Sequence, residues 1–274
     1  MDRDTPDFIV VGAGAAGMTA ALTGSLLGLS TIVVEKASVV GGTTSISAGS
    51  VWIPNTFLSP EGADTAEKAQ TYLKHTVGNR IRPTLHAAFL SNGPDMIRML
   101  SGTEVKFRPY PKHPDYLSKE KGATLFGRAL EPLPFNAKYL GQDFRLIKDP
   151  LPEFTILGGM MVNREDISHL LNASHSLKSM SKSLGLVARY MRDRLNHHRG
   201  TRLVMGNALV GRLFASLRQR GVIVRIKTNV EELLIENKHV VGIKIKTSGQ
   251  PEVIRSNYGV ILATGGFSRH AELR

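Results

Sequence analysis

Two periods of apolar and polar residues alternate along the chain, and they separate most cleanly over residues 7–35. "DFIVV" is a short continuous apolar run, as a buried strand requires. "GAGAAGMTAALTGSLLG" places Ala15, Met18, Leu22 and Leu26 at helical spacing, and "STIVVE" is a second β-rich run. Gly28 stands where a helix stop belongs. Strand, tight turn, helix and second strand predict a βαβ crossover with parallel strands.

Residues 36–200 are less regular. Helical spacing recurs at 64–77, at 83–100 (entered through Pro83) and at 165–195. Between the second and third of these, "RPYPKHPDYLSKEKGATLFGRALEPLPF" has too much Pro and Gly for a long helix and reads as an ordered excursion. Regularity returns after residue 200. Leu209, Leu213, Phe214 and Leu217 share a helix face, Arg218 and Arg220 suit its last turn, and Gly221 is its stop. "VIVRI" is a strand. "EELLIENKHVVGIKIKTSGQPEVIRS" predicts three short strands turning at Asn237-Lys238 and Ser248-Gly249. "GVILATGG" predicts a fully buried strand running into a glycine turn. There is no internal repeat. The fold class is α/β: a Rossmann-like parallel sheet with helices, a small β-meander and an irregular helical insertion.

Composition narrows the chemistry. At 274 residues and 42% hydrophobic the chain can bury a sizeable core, mostly aliphatic because aromatics are only 6%. With no Cys, disulfides, thiolate metal sites and cysteine nucleophiles are excluded. The nine His show no HExxH or comparable spacing, so no metal site is expected. The acidic start "MDRDTPDFIVV" has no basic n-region, and the apolar stretch 15–29 is too short and broken to span a bilayer, so a cytoplasmic chain is expected. The net charge is +12. Lys178, Lys182, Arg189, Arg192, Arg194, Arg199 and Arg202 face one acid, Asp193, within 178–202. Such a stripe suits an anionic membrane surface or a solvated helix face. No helix-turn-helix, RNP or zinc-finger pattern accompanies it, so no nucleic acid is expected.

The chemistry sits in two glycine bends. Gly12-Ala13-Gly14-Ala15-Ala16-Gly17 is a GxGxxG that follows a strand and opens a helix, with Glu35-Lys36 ending the next strand. Gly12 permits the tight turn, Gly14 lets the backbone approach a pyrophosphate, and Gly17 lets helix and strand pack closely. Glu35 can accept from an adenosine ribose and repels a 2′-phosphate. This predicts a site for an ADP moiety. The second bend, Gly41-Gly42-Thr43-Thr44-Ser45, replaces the crossover helix expected of an NAD domain. Its amides and hydroxyls can serve another part of a dinucleotide.

"VVGAGAAGMTAAL", "TIVVEKASVVGGTTSISAGSVWIPNT", "RGTRLVMGNALVGRLFASL" and "GVILATGGFSRHAELR" together resemble the flavoproteins of the fumarate reductase type, most closely the 3-ketosteroid 1-dehydrogenases. The resemblance implies FAD in a glutathione-reductase-type domain. The pyrophosphate falls to Gly12–Gly17 and the ribose to Glu35. The ribityl chain and ring fall to Gly42, Thr43, Thr44, Ala48 and Gly49. The adenine meets the backbone of Val230, and Ala263, Thr264 and Gly265 close over the ADP end. It further implies hydride transfer to the flavin from a hydrophobic, steroid-like substrate, with catalytic tyrosines. The family's tyrosine aligns nearer Leu117, which leaves its neighbour Tyr116 and the nearby Tyr110 as candidates, each also readable as a surface or packing tyrosine. The family's catalytic domain starts about where residue 274 falls. The expectation is therefore an incomplete FAD domain over 1–274, with residues 1–36 as βαβ, 37–200 as insertion and 201–274 as its second half. The alternative is a non-catalytic fragment that needs a partner chain.

Overall fold

A computed structural model describes residues 5–60, 62, 64–80, 82–247 and 249–267. The strands in chain order are β1 (Phe8–Val11), β2 (Thr31–Val34), β3 (Val51–Trp52), β4 (Phe107–Pro109), β5 (Ala129–Pro132), β6 (Phe135–Asn136) and β7 (Thr155–Ile156). They continue as β8 (Met160–Met161), β9 (Arg202–Leu203), β10 (Ile223–Arg225), β11 (Thr228–Glu236), β12 (His239–Thr247), β13 (Gln250–Arg255) and β14 (Gly259–Leu262). The helices are α1 (Ala15–Leu26), α2 (Ala66–Val77), α3 (Pro83–Ser101), α4 (Arg164–Leu171), α5 (Leu177–Arg194) and α6 (Met205–Gln219). The chain forms two compact units, residues 1–47 with 134–274, and residues 48–133.

The first unit is built on a parallel sheet of order β10-β2-β1-β14. Alternation along the strands sends Ile9, Val11 and Val34 to one face, where they pack with Ile243 and Ile245 of the meander β11-β12-β13. Helices α1 and α6 pack on each other, and α1 lies against β1 and β2. Every residue of α6 from Gly206 to Leu217 is buried, so it is a central helix of this unit. Gly28 (φ 83) and Gly221 (φ 69) stop α1 and α6 in the left-handed conformation that glycine adopts freely. The β11–β12 hairpin turns at Asn237 and Lys238, both at positive φ as a tight I′-type turn requires. In the second expected turn Ser248 lies outside the described residues, and Gly249 has φ 88.

Two expectations are corrected. The single helix over 165–195 is two, because residues 172–176 read Asn-Ala-Ser-His-Ser. Asn172 closes α4, and the Ser176 side chain caps α5 by accepting from the Ser179 N–H. The strand at "GVILATGG" is not fully buried. β14 is an edge strand, and Leu262 at its end is 60% exposed.

The second unit pairs α2 and α3 with a three-stranded antiparallel sheet of order β3-β5-β4. Its apolar centre is Ile53, Ile97 and Leu130, flanked by Val51, Leu58, Met96 and Phe107. Beside it lies a buried ionic knot. Arg128 is 1% exposed, and its Nε and Nη2 donate to the two oxygens of Asp64 at 3.0 and 2.7 Å, while Nη1 donates to Asp115 at 2.8 Å. Backbone N–H groups of Asn55 and Thr124 and the Trp52 indole also donate to these carboxylates. The guanidinium lies 5.6 Å from the Trp52 ring centroid and 5.5 Å from that of Tyr72. Removing one partner of such a buried set leaves an uncompensated charge, whereas the Arg108–Glu131 pair is only partly buried and is reached by water. Asp64→Ala is expected to cost the second unit about 3–5 kcal/mol in chemical denaturation, and Arg108→Ala under about 1 kcal/mol.

Candidate functional site

The first unit brings both glycine bends together. The first bend leaves β1 with the Gly12 N–H bonded to Val34 O at 2.8 Å, which keeps the two strands in register to the start of the turn. Gly12 has φ 108, and a Cβ on it would lie 2.4 Å from Ala263 O. A Cβ on Gly17 would lie 1.8 Å from Gly12 O. Both glycines are therefore demanded by packing within the chain. Gly14 differs: its φ of −84 and ψ of −175 suit any residue, and a Cβ there meets nothing within 4 Å. Nothing in the chain itself requires glycine at this position. A ligand pressed against the backbone would.

The second bend reaches back to the first. The Gly41 N–H donates to Ala13 O at 2.8 Å, and the Ala15 N–H donates to the Thr44 hydroxyl at 3.2 Å. A Cβ on Gly42 would stand 3.8 Å from the Gly14 Cα, so these two residues line one open cradle. Gly41 is glycine for an internal reason, because its Cβ would strike the Ser45 hydroxyl at 2.0 Å and Val210 at 3.0 Å. Its amide is already bonded, which leaves Gly42 and the exposed Thr43 to face a ligand. The ladder of α1 opens with the Met18 N–H to Gly14 O at 3.0 Å. The amides of Ala16 and Gly17 thus precede it, and an anion at the helix N-terminus can take them.

Glu35 has a second duty. One carboxylate oxygen accepts from the Ala13 N–H at 2.8 Å and the other from the Ala37 N–H at 2.9 Å. A carboxylate has about four acceptor positions, so capacity remains for ribose hydroxyls. Lys36 beside it is exposed. The start of β11 is tied to the same place by the Thr228 N–H to Glu35 O at 2.9 Å, two residues before Val230. Val230 packs its side chain on the Ile9–Val11–Val34 core, leaving only its backbone for a ligand. The Ala263 N–H donates to Val11 O at 2.8 Å, and Ala263 abuts the Gly12–Gly17 turn. Thr264 and Gly265 follow as exposed residues, the latter at φ 82. Glycine openness at Gly14 and Gly42, a helix N-terminus and a carboxylate with spare acceptor capacity fit a dinucleotide.

Sequence reasoning missed what holds the second bend still. Asn207, fully buried in α6, donates from Nδ2 to Ser45 O at 2.9 Å and to Lys148 O at 3.2 Å. Its Oδ1 accepts from Arg199 Nη2 at 2.9 Å. Arg199 is in turn ion-paired with Asp149 at 2.9 Å and lies over the Phe144 ring at 4.7 Å. Burial brings its guanidinium down to about 10, opposed by Asp149, so it stays charged at neutral pH. Gly206 completes the seat, since a Cβ there would fall 1.9 Å from Thr44 O. The available signal was a polar Asn inside the apolar run "MGNALV", which a buried helix keeps only when it is bonded.

The remaining candidates belong to the second unit and are described with it. Ala48 is exposed, and Gly49 is buried at φ 69. Tyr110 is half-buried, edge-on to His113 at 4.9 Å. Tyr116 is 95% exposed and, with Trp52, Tyr72 and His113, lines a cavity of about 250 Å³. Of the basic stripe, Arg199 is buried and Arg202 is paired with Asp166 at 2.8 Å, so these two serve the fold.

Comparison with known proteins agrees with this geometry. The FAD binding domain family matches residues 7–274. A 3-oxosteroid 1-dehydrogenase of Mycobacterium tuberculosis is 38% identical over 98% of this chain and 48% of its own length. A 4-oxocyclohex-2-ene-1-carboxylate 5-dehydrogenase of Sinomonas cyclohexanicum is 36% identical over 98% of this chain and 46% of its own. The crystal structure of 3-ketosteroid delta1-dehydrogenase from Sterolibacterium denitrificans, in complex with 1,4-androstadiene-3,17-dione, superposes with a TM-score of 0.88 at 33% identity, over 99% of this chain and 49% of that one. The chain thus spans about half the length of the curated relatives it matches. With the match running across both bends, from the first strand onward, the chain belongs to the FAD binding domain family.

Proposed function

We propose that this chain is the FAD-holding part of a dehydrogenase that removes hydrogen across a C–C bond beside the carbonyl of a 3-ketosteroid or a related cyclic ketone. The observation that carries the reading is the cradle of Gly14 and Gly42, open and 3.8 Å apart by the Gly42 Cβ position. Two relatives, at 38% and 36% identity, bear the names of cyclic-ketone dehydrogenases, which supports the substrate class.

Bound FAD supplies a two-electron acceptor for a hydride. The chain's own residues do the rest of the binding. The α1 N-terminus and the Gly14 and Ala16 amides hold the pyrophosphate, and Glu35 takes the ribose. Gly42, Thr43 and Thr44 serve the ribityl chain. Tyr116 and Tyr110 are the phenols proposed to hold the substrate carbonyl or take a proton from the carbon next to it. Tyr116 has the stronger claim because its ring borders a cavity. A second reading makes the chain a flavin-binding subunit that turns over only with a partner chain. The exposed end of the edge strand at Leu262 favours it.

Two glycine substitutions separate ligand binding from folding. Gly14→Val is expected to melt like the parent yet bind FAD at least about ten-fold more weakly in a fluorescence titration. Gly17→Val is expected to destabilise the chain itself, by about 1–3 kcal/mol in denaturant, because its Cβ collides with the backbone. Parent-like FAD affinity in Gly14→Val would remove the cradle from the account. For the chemistry, the FAD-loaded parent should bleach anaerobically on adding a 3-keto-4-ene steroid. Tyr116→Phe should slow that bleaching by about 100-fold with FAD affinity unchanged. An unaltered rate would strike Tyr116 from the mechanism.

A further inference from the structure

Besides the two glycine bends, the first unit opens a cleft of about 930 Å³ between the segment 141–149 and the turn that follows α5. The first wall is pinned beside the second bend. There the Val40 N–H donates to Leu146 O at 2.7 Å, and the Lys148 N–H donates to Val40 O at 3.0 Å. The second wall carries His197 and His198, and the His197 N–H donates to Asp193 O at 2.9 Å. Phe144 lies between the walls, 2% exposed, with the His197 and His198 rings centred 6.0 and 5.0 Å from its own. The chain's own bonds hold both walls in place.

The charge on these walls is positive in excess. Arg145 and Lys148 line the cleft, and neither has an ion pair among the described residues. Arg145 spends its Nε on Gln142 O at 3.2 Å, which leaves its two terminal nitrogens. The nearby acids are taken. Asp143 pairs with Arg218 at 2.7 Å, and Asp149, the one acid lining the cleft, pairs with Arg199 at 2.9 Å. Asp149 also lies 3.6 Å from His198 Nε2. Burial and the charges of Arg199 and Arg194 nevertheless hold the His198 imidazole below its ordinary value, against the pull of Asp149. Among the described residues no three His, Asp or Glu side chains gather as metal ligands, which leaves the two imidazoles as hydrogen-bonding groups.

We propose that this cleft binds a small organic anion, its phosphate or carboxylate held by Arg145 and Lys148 beside His197 and His198, and its body against Phe144 and Ile147. Guanidinium and ammonium groups take either oxyanion through charge-assisted hydrogen bonds. The volume falls within the range of about 300–1,000 Å³ usual for small-molecule sites, far more than a lone inorganic ion fills. The proposal stands on this cleft alone and does not depend on the flavin reading.

Calorimetric titration with phenyl phosphate and with benzoate tests it, with neutral benzamide as control and with saturating FAD present or absent. Saturable binding of at least one anion is expected, about ten-fold or more tighter than benzamide and equal with and without FAD. Arg145→Gln and Lys148→Gln should each weaken it at least about five-fold, whereas Lys178→Gln, an exposed cation on α5, should leave it unchanged. If either cleft variant melts below the parent, proton resonances of His198 in the parent decide instead. A bound anion favours the protonated ring, so at saturation this imidazole should titrate at higher pH than in the free chain. Absence of saturable binding overturns the proposal, as does benzamide binding equally well or parent-like affinity in both cleft variants. An unchanged His198 titration at saturation also overturns it. Binding that FAD abolishes would move the anion to the glycine cradle and overturn it too.

Discussion

The contact on which the site depends is the hydrogen bond from the Gly41 amide to the carbonyl of Ala13. Without it the two glycine bends are separate turns about thirty residues apart in sequence. With it, and with the Ala15 amide on the Thr44 hydroxyl, they form one backbone surface at the N-terminus of α1. Glu35 fixes the same turn from the other side by accepting from Ala13. Ala13 thus gives its N–H to one partner and its carbonyl to another, so its small side chain matters less than its doubly bonded backbone.

Around that contact the fold supplies rigidity in layers. The parallel sheet ends its central strands at the bend, α6 runs buried behind it, and the meander covers the opposite face. Asn207 transmits the rigidity of α6 directly to Ser45 O, and Arg199 keeps the Asn207 amide oriented. A buried polar chain of this kind is stable only when each member is bonded, and here the carbonyls of Ser45 and Lys148 and the Arg199 guanidinium meet that demand. The second unit solves a similar problem with ions, holding a buried arginine between two aspartates.

What was legible in the sequence was whatever depends on local spacing. The βαβ crossover, the glycine stops of α1 and α6 and the hairpin turn at Asn237-Lys238 all follow from residues a few positions apart. The close packing at Gly17 also followed, whereas the approach of Ala263 to Gly12 did not. Long-range matters were not legible. The ionic knot joins Asp64, Asp115 and Arg128 across sixty-four residues, and no period announces it. Asn207 reaches Ser45 from 162 residues away. The break in the helix expected over 165–195 was readable in its Asn and Ser residues, but the amphipathic period ran through them and masked it. The basic stripe divided only in three dimensions, with Arg199 and Arg202 turned inward while Lys178 and Arg192 stay on the surface.

The central claim is that one FAD is gripped by both bends at once. Amide hydrogen exchange of the chain with and without FAD tests it most directly, because it reads the two bends separately in one experiment. The account predicts that FAD slows exchange at the amides of residues 14–17 and 42–44 together, in the same ratio at every cofactor concentration. Protection of the first bend with the second left unchanged would contradict it, and would reduce the site to one for the ADP moiety alone.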